Sequence, residues 1–100
     1  MEISERIVGD VIQLSVSGNV DTITAGELQQ RVLLSFQKTK NLVLDIEGVA
    51  YMSSAGLRAL LLGQKTATSK GGTLKLLHVQ PSVMKVFEMS GFNTILTIEQ

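Results

Sequence analysis

The chain predicts an α/β fold: a mixed, mostly parallel sheet of about five strands, with helices mainly on one face, in the order β-β-α-β-α-β-α-β. Two observations carry this expectation. Strand-like apolar runs, some alternating and some continuous, take turns with runs whose apolar residues recur at helical spacing. Such alternation implies parallel strands joined by crossover helices. The two leading strand-like runs are separated only by Gly9-Asp10, a hairpin-type turn, which makes the first strand the antiparallel member.

The elements follow in order. Ile3 to Val8 is a weak strand. In Val11 to Ser17, Ile12, Leu14 and Val16 alternate with Gln13, Ser15 and Ser17, the pattern of a half-covered strand. That alternation is the reason to place the helices mainly on one face. A helix is predicted from about Thr22 or Thr24, with Asp21, Thr22 and Thr24 as candidate caps. Glu27 stands three residues after Thr24, as a capping box requires. Leu28, Val32 and Phe36 form its core stripe, and Lys38-Thr39-Lys40-Asn41 ends it.

Leu42-Val43-Leu44-Asp45-Ile46 is almost continuously apolar, which predicts a central strand buried on both faces. The second helix is predicted from about Ser54 to Ser69, with Leu57, Leu60 and Leu61 buried and Ala59 and Gly63 permitting close approach. Gly71-Gly72 stops it, and Thr73 to Val79 is the next strand. Pro81 suits the first position of a third helix and Gly91 its C-terminal cap. Val83, Val86 and Phe87 should face inward, with Phe92 packing back across the cap. Thr94 to Ile98 is the final strand.

One hundred residues can bury one core, so residues 1–100 are expected to form a single domain. Hydrophobic residues at 44% and charged residues at 18% fit a globular chain and exclude disorder. Nine basic and nine acidic side chains cancel, so there is no electrostatic footprint for nucleic acid. Cysteine is absent, which excludes disulfides, thiolate metal sites and cysteine nucleophiles. Met1 to Arg6 is too polar for a signal peptide, and the apolar stretch Ala59 to Gly63 is too short to span a bilayer. The expected setting is the cytoplasm, and the expected partner is a protein, with no direct nucleic acid and no membrane.

Chemistry concentrates in the run from Asp45 to Leu61, where a strand, a loop, two adjacent serines and the start of an apolar helix follow one another. From the residues alone, Ser53 and Ser54 have two readings. One of them caps the helix, as serine commonly does. Alternatively an exposed hydroxyl there is phosphorylated, because free N–H groups at a helix start accommodate a phosphate. Asp45 is placed to hold the loop by accepting backbone N–H bonds.

Catalysis is not expected. A serine nucleophile needs a base, and His78 is the only histidine, on a predicted strand among apolar neighbours. Met52-Ser53-Ser54-Ala55-Gly56 is no Gly-x-Ser-x-Gly elbow. Gly71-Gly72 follows a helix instead of opening one, so nucleotide binding rests on fold analogy alone. Asp21 and Asp45, two isolated carboxylates that could converge near the strand ends, are too little for a metal site. No catalytic residue, cofactor or metal is therefore predicted. Met52, Met84 and Met89 read as core or contact residues.

These residues resemble the STAS domain family, specifically the bacterial anti-sigma-factor antagonists. Leu42-Val43-Leu44-Asp45, Val49, Tyr51-Met52-Ser53-Ser54-Ala55-Gly56-Leu57 and Leu60-Leu61 follow the family's strand, loop and helix pattern. Gly18-Asn19-Val20-Asp21-Thr22 resembles the segment before its first long helix, and Val86 to Phe92 its closing helix and turn. The resemblance implies a non-enzymatic regulator that binds an anti-sigma factor with serine kinase activity. Phosphorylation releases that partner, and a metal-dependent serine phosphatase reverses the modification. Carried over by position, the phosphoacceptor is Ser54. Asp21, Thr22, Tyr51, Met52, Ser53, Ala55, Gly56 and Leu57 fall on the partner-binding surface.

One departure matters. Members of the family commonly carry Asp before the acceptor, where this chain has Ser53, which makes Ser53 a second candidate acceptor. Two alternatives stand beside the leading reading: a STAS scaffold in a signalling assembly that is never phosphorylated, and a small nucleotide-binding module.

Overall fold

A computed structural model describes residues 1–99. It contains strands β1 (Glu2–Val8), β2 (Val11–Ser17), β3 (Asn41–Gly48), β4 (Thr73–Leu77) and β5 (Thr97–Glu99). Helices α1 (Ala25–Phe36), α2 (Ser54–Ser69) and α3 (Pro81–Ser90) connect β2 to β3, β3 to β4 and β4 to β5, and a short 3₁₀ turn, Phe92–Thr94, precedes β5. The strands stand in the sheet in chain order, β1-β2-β3-β4-β5. β1 is antiparallel to β2, and the remaining pairs are parallel. The predicted α/β class, strand count and antiparallel first strand are therefore observed.

Strand order decides where the helices lie. When each parallel strand is added on the same side of the last, crossovers of one hand deposit every helix on the same face. Burial follows that rule. Ile12, Leu14 and Val16 on β2, Leu42, Leu44 and Ile46 on β3, and Leu74 and Leu76 on β4 are all buried. Leu28, Val32 and Phe36 of α1, Leu57 and Leu60 of α2, and Val83 and Phe87 of α3 complete one core. The alternate residues Gln13, Ser15, Val43, Asp45 and Lys75 face an uncovered side and are only half-buried or exposed.

The expectation that β3 is buried on both faces is thus wrong. Its apolar run is continuous only because Val43 sits on the open face; β3 is central in the sheet but covered on one side. Leu61 is half-buried, in contrast to Leu57 and Leu60. β4 ends at Leu77, so His78 lies outside the strand. The last strand begins at Thr97 because Phe92–Thr94 takes the 3₁₀ turn.

At the edge, β1 is mostly exposed. Glu5 pairs with Leu14 and so points to the helix-covered face, where it meets Arg31 at 3.9 Å and Lys38 at 3.8 Å. These exposed pairs contribute little stability. An inward-facing charge does discourage edge-to-edge pairing with other chains.

α1 starts differently from the predicted Thr24–Glu27 capping box. Thr24 already has helical dihedrals, φ −79° and ψ −17°, and its side chain caps nothing at Glu27. The reciprocal pair lies one turn earlier. Asp21 Oδ1 accepts from Thr24 N at 2.9 Å, and Thr24 Oγ1 accepts from Asp21 N at 2.9 Å. At the other end of the fold, Pro81 opens α3 and Gly91 closes it in the left-handed region at φ 79°, as predicted. Among the described residues, no helix is long and apolar enough to cross a membrane.

Candidate functional site

The two serines divide the roles that the sequence left open between them. Ser53 has extended dihedrals, φ −81° and ψ 171°, and its side chain accepts from Gly56 N at 3.1 Å. Ser53 is therefore the N-cap of α2. Ser54 is the first helical residue; it is exposed, and its hydroxyl has no hydrogen-bond partner among the described residues. Serine and aspartate are about equally good at an N-cap. The serine found where the resembled family commonly carries aspartate thus keeps the capping function.

A second loop is stitched to the first. Val20 N donates to Tyr51 O at 3.0 Å, Ser53 N donates to Val20 O at 2.8 Å, and Val20 pairs with Met52 in an isolated parallel bridge. These bonds bring Asp21 and Thr22 beside Tyr51 to Ser54. The start of α3 supports the site from another side. Ser82 Oγ donates to Ala50 O at 2.8 Å, and Gln80 Nε2 donates to Glu47 O at 2.6 Å.

The candidate recognition residues separate by burial. Thr22, Tyr51 and Ser54 are exposed, and Asp21, Ser53 and Ala55 are half-buried. Met52, Gly56 and Leu57 are buried and do not present a contact surface; they hold the loop from beneath. Gly56 shows why that layer is tight. A Cβ placed there would collide with Met52 Sδ and stand 2.8 Å from Val20 Cγ1, so the close approach of α2 to Val20 relies on glycine at this position. Ile23, in the neighbouring turn, is 87% exposed and adds an apolar residue that the sequence reading missed. It stands out in the sequence only as a bulky β-branched residue inside a polar turn.

Asp21 is engaged within the fold. Its Oδ1 accepts from the backbone of Thr24 and Ile23, each at 2.9 Å, and from Thr24 Oγ1 at 3.0 Å. The bonds from Thr24, backbone first, stabilise the carboxylate and hold Asp21 below its usual value of 3.8. Asp45 lies on the open face of β3. Its Oδ1 accepts from Glu47 N at 3.1 Å; Glu47 is itself in β3, so this bond stays within the strand and does not hold the serine loop as expected. The carboxylate does not meet Asp21 but His78, whose Nδ1 lies 3.1 Å from Asp45 Oδ2 and 3.7 Å from Glu47 Oε2. His78, read from the sequence as an apolar-surrounded strand residue, is half exposed.

Comparison with known proteins bears on the family and the fold. Residues 3–97 match the family described as "Mlab, STAS domain". The anti-sigma-B factor antagonist of Listeria monocytogenes is 30% identical over 101 residues, covering 99% of this chain and 87% of that protein. Two solved structures share the fold. An anti-sigma factor antagonist from Mycobacterium paratuberculosis superposes with a TM-score of 0.85 at 21% identity, over 97% of this chain and 83% of that one. The Bacillus cell fate determinant SpoIIAA in its phosphorylated form gives 0.76 at 17% identity, over 99% and 92%. The chain belongs to the STAS domain family.

Proposed function

We propose that this chain is a cytoplasmic anti-sigma-factor antagonist whose binding is switched at Ser54. Unphosphorylated, it binds an anti-sigma factor that is also a serine kinase. Phosphorylation of Ser54 by that kinase ends the complex, and a metal-dependent serine phosphatase restores it. The protein itself is no enzyme. The observation that carries this reading is the division of labour at the start of α2: Ser53 is occupied as the cap, and Ser54 is exposed and unbonded. The name shared by the relatives supports the class of partner.

The physics of the switch is local. A phosphate adds about −1.5 to −2 charge at neutral pH. At the first residue of α2 the unsatisfied N–H groups and the helix dipole tolerate that charge, so the fold survives. A partner seated over Thr22, Ile23, Tyr51 and Ala55 would have to desolvate the same charge without a compensating group, so the complex does not survive. Met52 and Leu57 act on binding only through the shape of the loop above them.

Phosphosite mapping tests the reading. After incubation with a serine-kinase anti-sigma factor from the same genome and ATP, peptide fragmentation should place phosphate on Ser54 and none on Ser53. A Ser54→Ala chain should stay unmodified. Absence of phosphate on both serines, together with partner binding that Ser54→Asp leaves unchanged, would instead favour a constitutive scaffold.

A further inference from the structure

The uncovered face of the sheet carries a cluster that the serine loop does not use. Asp45 and Glu47 alternate along β3 and therefore project to the same open side. Asp45 pairs in register with Leu77, the last residue of β4, so His78 emerges directly beside them. The donor atoms of Asp45, Glu47 and His78 all lie within 4.8 Å of one another.

We propose that these three residues form a binding site for a divalent transition-metal ion, with Zn²⁺ the best-fitting ion. Spacing is the first argument. Zinc held about 2.0–2.2 Å from nitrogen and oxygen donors in a tetrahedron sets neighbouring donors roughly 3.3–3.5 Å apart. His78 Nδ1 stands 3.1 Å from Asp45 Oδ2 and 3.7 Å from Glu47 Oε2, distances that bracket this edge. Donor chemistry is the second. One imidazole nitrogen with two carboxylates suits zinc and its neighbours, whereas calcium and magnesium prefer oxygen alone.

Charge is the third argument. A simple ion pair with His78 needs one carboxylate. Two carboxylates on the same edge of one imidazole repel each other, and a doubly charged cation removes that repulsion. The ligands are also held in place. Asp45 Oδ1 is occupied by Glu47 N, which leaves Oδ2 for the ion, and Gln80 Nε2 fixes the Glu47 carbonyl.

Space is the fourth. A cleft of about 320 Å³ adjoins the carboxylates, lined in part by Glu2, Ser4, Ser15 and Ser17. It leaves room for water to complete the coordination shell. An ion here joins the carboxyl ends of β3 and β4. The site is independent of the Ser54 reading.

The test is calorimetric titration of metal-free protein with ZnCl₂, paired with NMR. His78 is the only histidine, so its imidazole resonances report this site alone. Wild type should bind one equivalent, and the imidazole signals should shift to saturation with the same midpoint. Glu47→Gln alters an exposed side chain, and His78→Asn keeps a residue that tolerates the left-handed backbone found here at φ 56°. Each should weaken binding about tenfold or more while the thermal unfolding of the metal-free chain stays cooperative. Absence of saturable binding up to millimolar zinc would overturn the proposal. So would binding that both variants leave unchanged.

Discussion

Ser53 and Ser54 carry the same hydroxyl one residue apart, and the backbone gives them different surroundings. Ser53 spends its oxygen on Gly56 N, while Ser54 faces solvent. Ser53→Ala should therefore cost about 1 kcal/mol of stability, the usual worth of a serine cap. Ser54→Ala should stay within about 0.5 kcal/mol, as exposed substitutions do. Urea unfolding midpoints of the two variants check this, and equal costs would contradict the assignment of the cap. The short motif around these serines was legible because its geometry is local: an extended residue, then a helix. What remained open in the sequence was which serine takes the cap, because that depends on where the extended dihedrals end.

Element starts and ends follow bonds that adjacent residues can reach, and two of the corrected expectations bear on stability. The Thr24–Glu27 spacing suited a capping box, yet Asp21 and Thr24 satisfy the same rule one turn earlier, and the stitching of Val20 to Tyr51 and Ser53 favours it. Folding favours the ionised form of Asp21, since Thr24 holds its carboxyl below 3.8. Its stabilising effect is thus fully present above 3.8 and is lost as pH falls through the lower folded value. Asp21→Ala should lower the thermal midpoint near neutral pH. The gap between it and wild type should narrow below about pH 3.8 and keep narrowing with further acidification. The other correction concerns β3. Leu44 is fully buried beneath the helices and Val43 sits half-exposed on the open face. Leu44→Ala should cost about 2–5 kcal/mol, and Val43→Ala about 1 kcal/mol or less. Denaturant unfolding of the pair checks this directly, and similar costs would restore burial on both faces.

Across the whole molecule, the α/β class and the order of elements were readable because nearly every signal is local. Alternation in Val11–Ser17, the stripe Leu28-Val32-Phe36, Pro81 and Gly91 each mark one element, and their order leaves few ways to stack the sheet. Relations between strands were not readable. No local pattern shows that His78 leaves β4 beside Asp45 and Glu47, or that Ser82 supports Ala50. Burial on the candidate surface was hidden for the same reason: Met52, Gly56 and Leu57 lie in the motif but beneath its surface. What the molecule presents is a rigid core holding one exposed serine at a helix start, flanked by Thr22, Ile23 and Tyr51. The most direct test of the proposed switch is the affinity of the proposed partner, a serine-kinase anti-sigma factor, for this chain, measured by titration calorimetry on the unmodified chain and on the chain phosphorylated at Ser54. The account predicts a loss of about tenfold or more, at least ~1.4 kcal/mol, with the thermal unfolding of the chain itself nearly unchanged. Equal affinity for the two forms would contradict it.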